Sequence, residues 1–231
     1  MKNTENKWYS PSNLILAILY MLAILSLSVV LTLNFRPLYY YDIKHLDIPV
    51  SSGYPETEIR ENYDALIDYN SMFYSGDLQF PSLAMSDTGR IHFVEVKNIF
   101  VAVQYLAVIT LLLSAGFTVY KARKKDFAFL AGASALTLLV PAILGSLIAL
   151  NWENFFVTFH HIFFNNDYWI FDAATDPVIT ILPDTFFMHC ALLILGCVIL
   201  GSLLCALAFI LQRRPHRDQH SSKTGRAADK I

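Results

Sequence analysis

The sequence predicts an α-helical membrane protein in which four transmembrane helices carry a small extracytoplasmic α+β cap formed by two outer loops. Three observations support this fold class. Of the 231 residues, 55% are hydrophobic and the mean hydropathy is +0.44, which is high for a soluble globular chain. Four long stretches contain no Lys, Arg, Asp or Glu. The segments that connect these stretches differ sharply in charge.

The four apolar stretches comprise residues 14–33, 99–120, 127–150 and 186–211. A hydrocarbon core of about 30 Å is crossed by about 20 helical residues, and each stretch reaches that length. Lipid offers no partners for open backbone groups, so each stretch is predicted to be a transmembrane helix. The first is too long for the apolar region of a signal peptide, and no small-residue cleavage site follows it. We therefore expect an uncleaved anchor.

Charge asymmetry predicts the orientation of these helices. Basic residues concentrate in the 121–126 link and in the 212–231 tail, which is polar and predicted to be disordered. The positive-inside rule places this link, the tail and the 1–13 lead in the cytoplasm. The two large segments, 34–98 and 151–185, then lie outside. Their charges agree, because 34–98 is rich in acids and 151–185 has no Lys or Arg.

The first outer segment is predicted to mix strands with a helix. Residues 36–48 are rich in tyrosine and mildly alternating, so a short strand is expected there. Residues 56–70 place apolar side chains at helical spacing behind an acidic start, which predicts an amphipathic helix. Residues 71–88 are interpreted as a loop with a short strand, and residues 89–97 alternate again before the second span.

The second outer segment, predicted to be part helix and part re-entrant loop, has the clearest chemical character. Eight aromatic side chains between residues 152 and 169 form a belt suited to a membrane interface. Beside them lie the adjacent His160 and His161, followed by three aspartates that include Asp172 and Asp176. A simple connection between two helices would not need these ionisable groups.

Two histidines are candidates for proton transfer. His92 and His160 lie close to the same membrane boundary in separate outer segments, and histidine is the side chain most easily tuned to exchange a proton near neutral pH. Glu95, Asp172 and Asp176 are candidates for orienting an imidazole. The structural alternative for the histidines is an interfacial packing role, and for the acids it is a solvated surface charge.

Other catalytic chemistries lack their motifs. His160 and His161 do not have the spacing of HExxH metal ligands. Neither GxSxG nor SxxK occurs, and the three cysteines lie inside the fourth span, where they are interpreted as packing residues. His189, one turn inside that span, is either functional or an interfacial hydrogen-bonding group. If the protein is an enzyme, general-base catalysis on a held substrate is favoured, with no metal, cofactor or nucleic acid.

Several short motifs between residues 10 and 212 resemble one family of four-helix bacterial membrane proteins, the lipoprotein intramolecular transacylases. The motifs are residues 62–69, His92, 96–97, 159–160, 162–164, Trp169, 171–172, 175–177, 181–183 and 186–187. The second outer segment carries the most specific part of the resemblance. One departure is Glu95, which stands where the family has Asp before Val-Lys. His160, and not His161, aligns with the family histidine.

The resemblance implies a diacylglyceryl-modified lipoprotein as substrate in the bacterial cell membrane. The enzyme would move the sn-2 acyl chain to the α-amine of the same cysteine and leave the N-acyl lyso-form. His92 and His160 would be the acid and the base at the outer leaflet, in either order. Glu95 or Asp172 would orient an imidazole, and Arg90 or Asn62 would hold the oxyanion. The other residues implied are Asp176 in a supporting role and Tyr63, Trp169, Phe163 and Phe164 in substrate binding.

Two other function classes fit parts of the sequence. A non-enzymatic accessory or sensor protein would use the outer acids to bind a partner. A metal-dependent membrane hydrolase would hold zinc through His160. A transporter is disfavoured, because the ionisable groups gather outside the spans and not near the bilayer midplane, where transport sites lie.

Overall fold

The computed structural model describes residues 10–212, and within that range every regular element is a helix. The helices are α1 Pro11–Asn34, α2 Arg36–His45, α3 Ile48–Ser52, α4 Glu56–Tyr69, α5 Asp87–Arg123, α6 Phe129–Leu150, α7 Trp152–Phe163, α8 Val178–Ile181 and α9 Asp184–Gln212. The predicted amphipathic helix at 56–70 is therefore confirmed as α4. The 212–231 tail lies almost wholly outside the described residues.

Four helices, α1, α5, α6 and α9, are long and apolar enough to cross a membrane, as the sequence predicts. They alternate in direction, and α1 is the centre of the bundle because it packs against α5, α6 and α9. Helices α6 and α9 also pack against each other. Small side chains permit this close approach, since Ala17, Ala133 and Cys205 form a buried cluster between α1, α6 and α9.

At one end of the bundle, a buried ion pair ties α1 to the link between α5 and α6. Lys121 Nζ lies 2.9 Å from Asp126 Oδ2 and donates to Ser12 Oγ at 2.8 Å. Asn13 Nδ2 donates to the same aspartate at 3.3 Å. These contacts hold together the end of the molecule that carries the basic link.

At the other end, a helical cap covers the bundle. The cap comprises α2, α3, α4, the 70–86 loop, the first three turns of α5, and α8. Its core is largely aromatic and aliphatic, with the Tyr39 and Tyr63 rings stacked at 3.7 Å between centroids. The Tyr39 hydroxyl donates to the Ile181 carbonyl at 2.6 Å and so joins α2 to α8. The two outer segments therefore share one core.

The strands predicted in the first outer segment are wrong. In the 36–48 stretch the buried side chains of α2 are Tyr39, Asp42 and Ile43, which is the i, i+3, i+4 spacing of one helix face. In the 89–97 stretch the buried Gly89, His92 and Phe93 show the same spacing. The 71–88 stretch is irregular until α5 begins at Asp87. Tertiary packing against the cap core selected the helical period where the local alternation suggested strands.

Candidate active site

His92 lies on the part of α5 that extends beyond the apolar 99–120 span. Ser86 caps this extension, because its hydroxyl accepts a hydrogen bond from the Gly89 backbone N–H at 3.0 Å. His92 is only 5% exposed. The rings of Phe164 and Phe171 approach it edge-on, with centroids at 4.7 and 5.4 Å. An imidazole is thus held inside an aromatic enclosure at the boundary between span and cap.

Asp176 locks the second outer segment onto the start of α5. Its Oδ1 accepts from the Ser86 backbone N–H at 2.8 Å, and its Oδ2 accepts from the Thr175 hydroxyl at 2.8 Å. The carboxylate is 2% exposed. A Cβ on Gly89 would lie 2.3 Å from Oδ1, so only glycine permits this approach. The structure therefore places Asp176 in a positioning role at the helix that carries His92, with no hydrogen bond to an imidazole among the described residues.

His160 is on α7, which follows α6 directly and begins with Asn151 as its cap. Its Nδ1 lies 2.8 Å from the Phe156 carbonyl oxygen. A carbonyl oxygen only accepts, so Nδ1 is the protonated nitrogen and Nε2 carries the lone pair of the neutral ring. The Trp169 indole stacks on the imidazole with a centroid distance of 4.5 Å. The backbone and the indole together fix the tautomer and the plane of this histidine.

The structure brings the two predicted histidines together. Their ring centroids are 6.3 Å apart and their planes are inclined by 29°. They come from α5 and α7, which are 68 residues apart at these positions, and Phe164 touches both rings. The two imidazoles lie in one aromatic chamber, which is lined by Phe164, Phe171 and Trp169. The distance between the imidazole rings is greater than the distance between two rings in direct stacking contact.

Both histidines are poor proton acceptors from bulk water. Burial, and to a smaller extent the neighbouring His160, lowers the pKa of His92 from 6.5 to about 4. Burial also lowers the pKa of His160, although the hydrogen bond to the Phe156 carbonyl opposes this and His161 adds to it. Both rings are therefore neutral at pH 7, which leaves His160 Nε2 free to take a proton from a bound group.

Several buried polar atoms around this chamber have no hydrogen-bond partner in the described structure. They are His92 Nδ1, Glu95 Oε2, Trp152 Nε1 and Trp169 Nε1. Buried polar atoms are almost always paired, and an unpaired one costs about 1–3 kcal/mol. Two of these atoms, His92 Nδ1 and Trp169 Nε1, belong to the histidine pair and to the indole stacked on His160.

The remaining residues predicted for the site lie at different distances from this chamber. Glu95 is bound to Asn166 through Oε1, with Asn166 Nδ2 donating at 2.9 Å. Asp172 accepts from the Ala174 backbone N–H in an exposed turn. Arg90 is exposed and pairs with Asp87. Of these three residues, only Glu95 has a buried oxygen without a hydrogen-bond partner in the described structure.

Asn62 and Tyr63 belong to the cap core. Asn62 is fully buried, and its amide binds Ser82 and the Leu83 backbone, which holds the 70–86 loop against α4. Tyr63 stacks on Tyr39. Neither side chain has a hydrogen-bonding contact with the histidine pair among the described residues. Phe163 stands half-exposed on α7 and packs against Phe159, whereas Phe164 forms part of the chamber wall.

Sequence reasoning missed a second histidine contact. His189 Nδ1 lies 2.9 Å from Asp42 Oδ2, and the Asp42 side chain is 0% exposed. This pair joins α2 to α9, so His189 is a cross-link between cap and bundle. No sequence signal connects two residues separated by 147 positions. His161 meets Trp169 edge-on at 5.5 Å from the exposed side of α7.

A helical bundle capped at one end, with two imidazoles enclosed where cap and bundle meet, defines a multi-pass membrane protein with a histidine pair at the edge of its membrane-spanning part. The family model for lipoprotein intramolecular transacylase Lit matches residues 14–187. The chain belongs to this family and is a membrane-integral acyltransferase. Comparison with curated proteins finds no significant match.

Solved structures of the Bacillus cereus lipoprotein intramolecular transacylase Lit are similar to this chain. One has 41% sequence identity and a TM-score of 0.86, covering 87% of this chain and 94% of its own. A form with one histidine replaced by arginine has 40% identity and a TM-score of 0.80, covering 87% and 90%. A form with a histidine replaced by alanine has 41% identity and a TM-score of 0.78, with the same coverage.

Proposed function

We propose that the protein moves the sn-2 acyl chain of a diacylglyceryl-modified lipoprotein cysteine to the α-amine of the same cysteine. The product is the N-acyl lyso-form lipoprotein. The observation that carries this proposal is the fixed tautomer of His160. A neutral imidazole with its lone pair on Nε2, packed among aromatic rings, is the base that an attacking amine requires.

The proposed reaction forms an amide N–C bond and breaks the sn-2 ester C–O bond. The amine nitrogen attacks the sn-2 ester carbon, an N–C bond forms, and His160 Nε2 takes a proton from the nitrogen. The C–O bond to glycerol then breaks, and that proton passes to the glycerol oxygen. His92, neutral at pH 7, donates its single N–H hydrogen bond to this departing oxygen. Donor and acceptor belong to one molecule, so confinement supplies a high effective molarity and no acyl-enzyme is needed.

The oxyanion that forms on the ester carbon needs a donor. The guanidinium of Arg90 pairs with Asp87 at the surface, and the amide of Asn62 is used within the cap. The Trp169 indole N–H is buried, has no partner in the described structure, and belongs to the ring stacked on His160. We therefore assign the oxyanion contact to Trp169, a residue for which the resemblance implies a role in substrate binding.

The proposal includes the orientation of the protein in the membrane. The cap end, with its acid-rich segments, faces the outside, and the Lys121 end with both termini faces the cytoplasm. The histidine chamber then lies at the outer leaflet. Phe164 borders the chamber just after α7, and the half-exposed Phe163 packs against Phe159 at the end of α7, where acyl chains of a substrate in the bilayer would lie. Tyr63 supports the cap and does not contact substrate directly.

The test is mass spectrometry of the N-terminal lipopeptide from a reporter lipoprotein. The host makes only diacylglyceryl lipoproteins and expresses the wild type, His92→Ala, His160→Ala or His161→Ala. The wild type should leave total mass unchanged while one acyl chain moves to the α-amine. The first two variants should abolish this transfer, and His161→Ala, which removes the adjacent exposed imidazole, should retain it.

Two results would overturn the proposal. One is the absence of any relocated chain in cells with well-inserted wild-type protein. The other is full transfer by both His92→Ala and His160→Ala.

A further inference from the structure

Glu95 has one bonded and one unpaired carboxylate oxygen one helical turn after His92. It follows His92 by three residues on α5, so the two side chains share a helix face. Glu95 Oε1 is held by Asn166 Nδ2 at 2.9 Å. Asn166 lies in the loop between the helix that carries His160 and the Trp169 indole. Glu95 Oε2 is buried and has no hydrogen-bond partner in the described part of the chain.

The cations nearest to Glu95 in sequence are engaged elsewhere. Lys97 Nζ donates to the Tyr74 carbonyl at 3.1 Å and lies over the Tyr69 ring. Arg90 pairs with Asp87. No ion pair in residues 10–212 includes Glu95, and no hydrogen bond described there joins it to His92 or His160. A buried carboxylate oxygen without a cation or donor is costly, so its position indicates a partner supplied from outside the protein.

We propose that Glu95 Oε2 binds the α-ammonium group of the lipid-modified N-terminal cysteine. This inference rests on the proposed function and names the group that selects the acyl acceptor. An ammonium has three N–H donors, of which one would bind Glu95 Oε2 and one would face His160 Nε2. After His160 removes its proton, an amine N–H still donates to Glu95. The nitrogen lone pair is then free to point at the ester carbon.

Binding the acceptor as an ammonium adds one proton to the balance of the transfer, and that proton is released to water. The nitrogen loses its first proton through His160 Nε2 to water before attack, and the second, taken by the same Nε2 after attack, ends on the glycerol oxygen. Glu95 accepts a hydrogen bond throughout and gains no proton. Asn166 holds one oxygen, so the other has a fixed position and little conformational entropy remains to be lost on binding. Glu95 is therefore a specificity residue that distinguishes a free amino terminus from a blocked one.

The experiment measures binding of lipopeptides that cannot react. Both probes carry ether-linked alkyl chains in place of the esters, and one has a free α-amine while the other has hydrogen in its place. Affinities are measured on the full-length protein in nanodiscs. The wild type should bind the amine probe about 10- to 100-fold more tightly, as expected for one charge-assisted contact. This preference should fall as the pH rises above about 8, where an α-amine loses its charge.

Variants separate recognition from a structural role. Glu95→Gln keeps an oxygen for Asn166 and places an amide where Oε2 stood, so it should bind both probes alike at every pH. Glu95→Asp should restore part of the preference. Asn166→Ala, the matched control, retains the charge and should retain the preference with weaker binding of both probes.

The inference is wrong if the wild type shows no preference for the amine probe, a measurement that needs no variant. It is also wrong if Glu95→Gln weakens both probes equally and leaves their ratio unchanged. Either result alongside normal acyl transfer in the reporter assay would leave the proposed function standing. A wild type that fails the reporter assay would refute the proposed function independently.

Discussion

Mild acid should destabilise this protein through His92. The pKa of His92 is about 4 in the folded protein, and its ordinary value is 6.5 in an unfolded chain. Between these values the unfolded chain binds a proton that the folded chain does not. The free energy of unfolding contributed by His92 is therefore fully present above about pH 6.5, falls as the pH decreases, and levels off below about pH 4.

The size of the effect follows from the two pKa values. Integrating the proton linkage from about pH 7 to about pH 5 gives a loss of about 2 kcal/mol for this one group. The whole difference between the unfolded and folded pKa of His92 is used in this calculation, because the side chain is only 5% exposed and solvent screens it little. Other groups also titrate in this range, so the measurement compares the wild type with His92→Gln, which is neutral at both pH values.

The assay is equilibrium unfolding in mixed micelles with a denaturing detergent, followed by far-UV circular dichroism. The wild type should lose about 2 kcal/mol more than His92→Gln on moving from about pH 7 to about pH 5. Equal losses in the two proteins would refute the reasoning. They would show that water reaches the ring and that the chamber is not the dry enclosure the packing indicates.

Three further predictions concern the same site. Gly89→Ala should push Asp176 away from the start of α5 and cost about 1–3 kcal/mol of stability, whereas Gly116→Ala, inside the same helix and with no atom within 4 Å of its added Cβ, should keep or slightly raise stability in the same unfolding assay. Trp169→Phe keeps the ring stacked on His160 and removes the N–H, so kcat in a reconstituted lipopeptide assay should fall by about 10²–10³-fold, and an unchanged kcat would exclude the oxyanion contact. Because burial lowers the pKa of His160, activity should persist below the ordinary histidine pKa of 6.5 and decline only at lower pH, and a pH–rate profile centred at or above that value would contradict this.

Much of the fold was predictable because the membrane imposes a simple length rule. The four long apolar helices and the amphipathic α4 follow from residue type and spacing alone. The family was also predictable, since its motifs cluster in the second outer segment and the family model confirms it. The family resemblance implied that His92 and His160 act together at the outer leaflet, and the structure places their rings 6.3 Å apart.

The helical nature of 36–48 and 89–97 was not predictable from local pattern. A stretch such as GRIHFVEVK alternates well enough for a strand, yet its period is decided by what it packs against. Gly89 must approach Asp176, and His92 and Phe93 must face Phe171, which a helix allows. Those partners lie about eighty residues away, so no window of sequence contains the information.

The same limit applied to individual roles at the site. Asp176 was one of three candidates for orienting an imidazole, and no local pattern indicated that its carboxylate accepts a hydrogen bond from the Ser86 backbone. The pairing of His189 with Asp42 and the anchoring of Glu95 by Asn166 depend on which loops meet in three dimensions. The tautomer of His160 depends on a carbonyl one helical turn away, which helix geometry offers but sequence does not guarantee.

The division of the bundle into two helical hairpins has a consequence for the assembly of the enzyme. Helices α1 and α5 form one hairpin and α6 and α9 form another, joined by the short link that Lys121 and Asp126 secure. The first hairpin carries His92 and the second carries His160. Neither hairpin contains both histidines. Under the proposed function, acyl transfer therefore requires the two hairpins to associate. A gene divided within the link should yield two inert fragments that regain activity when they are produced together in one membrane.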